Sequence, residues 1–199
     1  MNRDKMLDAA EVVVERQGIA NLTLDAVAAE AGISKGGLLH HFPSKDHLVE
    51  ALVVRCAENW RAYYMDAYAR TPEGPGRMTR ALVDHCLTDV EAWTQQLRRS
   101  SAAVFAALAQ NPALIEPMRA VYHDLHGRIA DDGLLPGVGE TVVAATDGLW
   151  LDCVLGLVPV DQRLLDRVRS AIDGMLMTSQ PAHAARKRNV IAKRAGGRL

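Results

Sequence analysis

LTLDAVAAEAGISKGGLLHHFPSKDHL, residues 22–48, carries two sharp breaks inside a helix-forming sequence. Thr23 precedes Asp25, Ala26, Val27, Ala28, Ala29, Glu30 and Ala31 and is a good N-cap for an alanine-rich helix. Leu24, Val27, Ala28 and Ala31 fall at helical spacing and form one apolar stripe. Gly32 ends that helix, because the left-handed residue that closes a helix is cheapest as glycine. Ile33 is placed to plug the space between two helices, and Ser34 caps the next one. That second helix runs from Lys35 to Phe42 and stops at Pro43. Ser44 then opens another, with Asp46 in its first turn where a negative charge suits the dipole. Two short helices around a tight turn, with a third starting behind them, form a helix-turn-helix, a device that lays one helix in the major groove of DNA.

The second helix begins unusually. Gly36 and Gly37 lie in its first turn, and a helical glycine costs about 1 kcal/mol relative to alanine. Either the turn is loosely formed, or it lies against a sugar-phosphate backbone where a missing side chain permits close approach. The caps on both sides favour the second reading.

Outward from this stretch, helical patterns alternate with clear breaks. Residues 3–17 place Met6, Ala9, Ala10, Val13 and Val14 on one face and end at Gly18. A helix over about 44–68 is longer than a DNA-binding domain needs and is expected to link two domains mechanically. Residues 70–76, RTPEGPG, read as a loop. Further helices are expected over 77–92, 95–110, 112–130, 140–157 and 161–178. No internal repeat and no alternating strand pattern appears, so the expected fold class is all-α. Its expected parts are an N-terminal three-helix DNA-binding domain (1–50), a helical ligand-binding and dimerisation bundle (51–180) and a basic, flexible tail (181–199).

With 199 residues the chain can bury a sizeable core. It begins without a signal peptide and contains no apolar run long enough to span a membrane, so a cytoplasmic protein with no membrane partner is expected. The most apolar stretch, 148–160, is interrupted by Asp152 and closed by Pro159. Cys56, Cys86 and Cys153 are scattered and odd in number, which suits reduced thiols better than a disulfide framework.

The net charge of −1 is not that of a strongly basic DNA-binding protein. In the first fifty residues Arg3, Lys5, Arg16, Lys35 and Lys45 face Asp4, Asp8, Glu11, Glu15, Asp25, Glu30, Asp46 and Glu50. The general electrostatic footprint is therefore weak. A local one survives, since Lys35 and Lys45 flank the second helix with His40 and His41 between them. The acids of the first helix are expected to face away from DNA. The tail beyond Ala182 carries Arg186, Lys187, Arg188, Lys193, Arg194 and Arg198 with no acid. It is either a solvated tail or a source of extra non-specific phosphate contact.

Residues 26–52, from the Val27-Ala28 and Ala31-Gly32 pairs through Ser34, His41-Phe42, Lys45 and Leu48, resemble the DNA-binding domain of the tetracycline-repressor (TetR) family of transcriptional regulators. The resemblance covers about residues 3–52. It implies an all-helical, homodimeric, ligand-responsive regulator bound to a pseudo-palindromic operator in double-stranded DNA. Two positions depart from the family pattern. Leu39 stands where the family usually has a tyrosine that helps bind a phosphate, and Gly37 where a small hydroxyl residue or alanine is common. Both departures remove possible polar contacts with DNA. The candidate DNA-facing set is Thr23, Ser34, Lys35, Gly36, Gly37, Leu39, His40, His41 and Lys45. Thr23, Ser34 and Lys45 are expected on phosphates, and Lys35, Gly36, Gly37 and His40 near base edges.

The resemblance also implies that the last two helices form a four-helix interface between subunits. They carry broad apolar faces, Val142, Val143, Ala145, Thr146, Leu149, Trp150 and Cys153 on one and Leu164, Leu165, Val168, Ile172 and Leu176 on the other. Such stripes serve equally as intramolecular core. For a small, mostly apolar effector, the candidate pocket residues are Trp60, Tyr64, Trp93, Phe105, Met118, Tyr122 and Trp150, with His85, His123 or Asp147 as polar handles. Each is also a plausible core filler.

His123 and His126 share a helix face beside Asp124, but no third ligand is fixed, so no metal site and no cofactor are expected. No phosphate-cradling glycine loop, nucleophile elbow or paired carboxylates appear, and no catalytic residue is assigned. The expected function is that of a repressor released from its operator by a small apolar ligand. The alternatives are a helical interaction module, which Leu39 would favour, and an activator with no small-molecule inducer.

Overall fold

The computed structural model describes residues 3–18, 21–91, 101, 104–105, 107–108 and 111–179, and every regular element among them is helical. The expected helix over 95–110, Trp93 and the basic tail therefore lie wholly or mostly outside the described residues. The chain divides into two compact units, residues 1–62 with 91–123, and residues 63–90 with 124 onward. α4 continues unbroken past residue 50.

In the first unit, α1 (Arg3–Gln17) buries Met6, Leu7, Ala9, Ala10, Val13 and Val14, the expected stripe widened by one leucine. Gly18, at φ 79°, closes it, with its amide on the Val14 carbonyl at 2.9 Å. Thr23 caps α2 (Leu24–Glu30) by accepting the Ala26 amide at 3.1 Å. Gly32, at φ 66°, turns the chain, and the Ile33 amide reaches back to the Ala28 carbonyl at 3.0 Å. Ser34 caps α3 (Lys35–His41), and Phe42 ends it in extended backbone. α4 (Lys45–Arg70) follows, capped by Ser44, whose hydroxyl accepts the His47 amide at 3.3 Å. Leu22, Val27, Leu38, Phe42, Leu48, Val49 and Leu52 close the core with the α1 stripe, and Ile33 packs against it. That core fixes how α3 is presented.

In the second unit, α5 (Arg77–Cys86) is tied at its start to the loop before the penultimate helix. The Asp132 carboxylate accepts the Met78 and Thr79 amides at 2.9 and 2.8 Å and the Thr79 hydroxyl at 2.8 Å. A 3₁₀ turn in the first unit, Pro112–Ile115, precedes α6 (Glu116–Ala130), whose residues from 124 onward belong to the second. It departs from the expected single helix because the Asn111 side chain takes the Ala113 amide and Pro112 has no amide to give. The last helices are α7 (Val138–Leu155), closed by Gly156 at φ 64°, and α8 (Gln162–Thr178), capped by Asp161. A side chain at Gly139 would meet the Ile129 methyl at 2.3 Å, so only glycine lets α7 approach there.

The expected helix over 77–92 is shorter than its pattern suggests. It stops at Cys86, where Leu87 leaves helical backbone and the Thr88 hydroxyl donates to the Asp84 carbonyl at 2.5 Å. No described helix is long and apolar enough to cross a membrane.

Candidate DNA-binding face

Ser34, Lys35, Gly36, Gly37, His40 and His41 form the exposed side of α3, while Leu38, on the opposite side, is wholly buried. This is the division that an apolar inner and polar outer helix face produces. The Ser34 hydroxyl oxygen accepts the Gly37 amide at 3.1 Å. Thr23 does the same for α2 and is exposed. A hydroxyl has one donor and two acceptor lone pairs, so each can keep its cap and still donate its proton to a phosphate.

The two glycines are not equivalent. A Cβ at Gly37 would sit 3.3 Å from Ser34 Oγ, the capping atom itself. A Cβ at Gly36 would meet nothing within 4 Å, and Gly36 has ordinary negative-φ helical backbone. The protein's own structure thus gives a reason for Gly37 and none for Gly36. Leu39 is half-buried, where its apolar side chain covers part of the flank of α3. His40 and His41 meet edge to face, with ring centroids 5.4 Å apart. Lys45 is half-buried at the start of α4, with no carboxylate partner among the described residues.

Charge pairing explains how an acidic N-terminal region leaves this face usable. Arg55 of α4 holds Asp8 and Glu11 of α1, each at 2.6 Å, and its side chain is only 18% exposed. Arg16 lies 3.5 Å from Glu30. Arg3 stacks over the Phe42 ring at 5.3 Å. Two of the acids of α1 are thereby engaged with α4. Lys35 is not open, however: its ammonium is 2.9 Å from the Asp25 carboxylate of α2. Spacing along the chain does not reveal that pair, because ten residues and a turn separate its members. Arg55 was likewise beyond reach of the pattern, which shows an arginine on α4 but not which helix it faces.

The predicted pocket residues are shared between the units. Trp60, Phe105, Met118 and Tyr122 are half-buried in the first, and Met118 packs on its core. In the second, Trp150 is half-buried and Tyr64 is fully buried, its hydroxyl donating to Asp124 at 3.0 Å. The Arg128 guanidinium donates to the same carboxylate oxygen at 2.9 Å. A separate hollow of about 330 Å³ in the second unit is lined by Pro75, Gly76, Arg80, Leu134, Asp173, Leu176 and Met177, none of them predicted. Among the described residues no group of three or more His, Cys, Asp or Glu side chains is arranged to hold a metal.

The apolar faces of α7 and α8 divide cleanly. Val142, Val143, Thr146, Leu149, Leu165, Ile172 and Leu176 are buried within the second unit and belong to its core. A different stripe on α7, Ala144, Gly148, Leu151 and Leu155, is exposed, and Leu157 and Val158 beyond its end are 64% and 45% exposed. On α8 the exposed set includes Ser170, Gly174 and Met177. A Cβ at Gly148 or Gly174 would meet nothing within 4 Å.

Residues 6–52 match the family described as bacterial regulatory proteins, tetR family, and residues 76–177 match the tetracyclin repressor-like C-terminal domain. The HTH-type transcriptional regulator BetI of Paraburkholderia phymatum is 26% identical over 192 residues, covering 92% of this chain and 96% of that protein. The multidrug binding protein EbrR, solved with imidazole, superposes with a TM-score of 0.63 at 26% identity, covering 86% of this chain and 94% of its own. A transcriptional regulator from Rhodococcus superposes with a TM-score of 0.69 at 21% identity over 89% of this chain and 97% of its own, which shows the shared fold.

Proposed function

Since the chain belongs to the tetracycline-repressor family of DNA-binding transcriptional regulators, which are not enzymes, we propose that it represses transcription as a homodimer and leaves its operator when a small, mostly apolar ligand binds. The exposed α3 face carries this reading, since its core-facing side is anchored by Leu38 and its outer side is polar or bare. Two α3 helices, one per subunit, enter successive major grooves of a pseudo-palindrome about 34–36 Å apart. Thr23 and Ser34 donate hydroxyl protons to phosphates, and Lys45 adds a charge contact. Lys35, Gly36, Gly37 and His40 lie nearest the base edges, with Leu39 and His41 at the flank.

We assign the dimer face to an apolar stripe that the second unit leaves exposed. Ala144, Gly148, Leu151 and Leu155 recur at spacings of four, three and four on α7. Small residues at such spacing let two helix backbones approach, and the leucines supply the buried area. The second copy's α7 and α8 complete a four-helix packing there. The ligand class rests on apolar candidates such as Trp60, Phe105, Tyr122 and Trp150 and on the multidrug-binding relative. An effector acts only if it binds one half-site spacing better than the other. α4, 26 residues long, is the lever for that change. The protein works in the cytoplasm, where the chromosome is.

Selection of bound duplexes from a random DNA library tests the reading. A recovered pseudo-palindrome that a small, uncharged apolar compound releases supports it. Recovery of no sequence refutes the operator, and retention across a broad panel of apolar compounds refutes the ligand class.

A further inference from the structure

We propose that Asp25 is an internal competitor for DNA phosphate, holding Lys35 in the free protein and yielding it only to the duplex. The proposal rests on α3 being the DNA-facing helix. The contact is Lys35 Nζ to Asp25 Oδ2 at 2.9 Å, with side chains 54% and 69% exposed. An ion pair so open to water adds little to folding, because solvent screens it and ordering two side chains costs entropy. The pair therefore has little structural purpose. Its place does have a consequence. Lys35 is the first residue of α3, next to the Ser34 cap and the bare Gly36. Asp25 lies in the first turn of α2, two residues beyond the Thr23 cap.

One carboxylate thus neutralises the cation at the head of the recognition helix. It also puts a negative charge close to the hydroxyls that face phosphates. Asp8, Glu11 and Glu30 differ, since their partners Arg55 and Arg16 lie outside α3. Asp25 is the acid that takes a positive charge off the DNA-facing helix. On mixed-sequence DNA, where no matching base edge is offered, Lys35 exchanges the Asp25 oxyanion for a phosphate one, and Asp25 is left exposed beside the duplex. That penalty applies at every sequence. Contacts with bases offset it only at the operator, so Asp25 lowers non-specific binding and leaves recognition to geometry. Asp25 is a positioning residue that acts through Lys35.

The test uses full-length wild type, D25N, K35Q and the double variant. Their affinities are read by fluorescence anisotropy with a labelled mixed-sequence duplex of about 30 base pairs, long enough for two half-sites. The same titrations use a duplex selected by the wild type. D25N should bind the mixed duplex more tightly, on the order of fivefold per subunit, as expected for releasing one exposed pair. Its salt dependence should steepen by about 0.9 per phosphate newly neutralised. The gain should be equal on the selected duplex, because the penalty does not depend on sequence, and K35Q should remove most of it in the double variant. Thermal melting should be nearly unchanged in D25N, which separates the effect from folding. Wild-type affinity and slope in D25N would overturn the proposal. A gain that persists undiminished with K35Q would overturn it too, since Asp25 would then act without Lys35. Failure of the wild type to bind either duplex would instead refute the DNA-binding reading beneath it.

Discussion

Replacing Gly36 by alanine separates the two explanations for a bare first turn, because they predict opposite signs. The space around Gly36 is empty to 4 Å and its backbone is helical, so a methyl group costs the free protein nothing. Alanine loses less conformational freedom on folding, which stabilises a helix by about 0.5–1 kcal/mol. For a protein of this size each kcal/mol is worth roughly 2–4 °C of melting temperature, so G36A should melt about 1–4 °C higher. On DNA the sign reverses if the turn lies against the backbone. An extra methyl in a filled contact costs about 1–3 kcal/mol, and a dimer makes the contact twice. Affinity should then fall at least about thirtyfold, since 1.4 kcal/mol is a factor of ten. Gly127, exposed on α6 with nothing within 4 Å of an added Cβ, is the control, and G127A should stabilise without touching DNA affinity. G37A differs from both, because its methyl would crowd Ser34 Oγ and offset the helix gain with a weakened cap. Differential scanning calorimetry and anisotropy titrations read both quantities. A G36A protein that melts higher and binds DNA as tightly as wild type would refute the close approach and leave Gly36 a tolerated helix penalty.

Three further outcomes follow from other parts of the fold. K45A should weaken binding at every sequence and flatten the salt dependence by about 0.9 per lost phosphate contact, and an unchanged slope would place the DNA face elsewhere. G148W should leave a folded protomer, because the position is open, yet shift the protein towards monomer in sedimentation equilibrium, and an intact dimer would remove α7 from the interface. His85 stacks on Tyr63 with centroids 5.4 Å apart, and burial first, then Arg70, lower its pKa, with Asp66 opposing. Below histidine's ordinary value of about 6.5 the unfolded chain takes the proton more readily, so stability is complete above that pH and falls as pH drops through it. H85F keeps the stacking and should lose less of its urea midpoint between about pH 7.5 and about 5.5 than wild type does, whereas equal losses would place the titrating group elsewhere.

What could be read from residues alone was whatever one helix encodes locally. Thr23, Gly32, Ser34 and Ser44 act within three or four residues of their targets, so their roles appear in the chain itself. The α1 stripe and the fold class follow from the same local periodicity. The Lys35–Asp25 and Arg55–Glu11 pairs are set by how helices cross, which periodicity does not encode. The last helices left two readings open, interface or core. Both faces of α7 are apolar or small, and hydrophobicity selected Val142, Val143 and Leu149, which fill the unit's own core. The stripe left outside is marked by the small residues Ala144 and Gly148, visible in the sequence but not assigned by periodicity to a core or an outer face. The break at residue 87 was hidden similarly, since Leu87 is wholly buried and continues the apolar pattern past the last helical hydrogen bond.

The shortage of positive charge bears on release as well as on binding. Each phosphate neutralised contributes a term that no sequence or half-site spacing alters, so a strongly basic regulator would remain on DNA after its recognition geometry is lost. Here Lys35 is held by Asp25, Leu39 adds no polar contact, and Lys45 is the unpaired lysine flanking α3 among the described residues. On the proposed dimeric reading, the affinity that remains depends on both α3 helices engaging together, where binding of one half-site raises the effective concentration of the other. That contribution disappears when the spacing no longer matches the groove repeat. A ligand preferring the mismatched spacing by about 1–3 kcal/mol, the usual range of coupling between sites, shifts affinity about 5–150-fold. Against a weak charge background such a shift suffices to clear an operator. Removing the competitor for Lys35 through D25N should therefore also raise the ligand concentration needed for release.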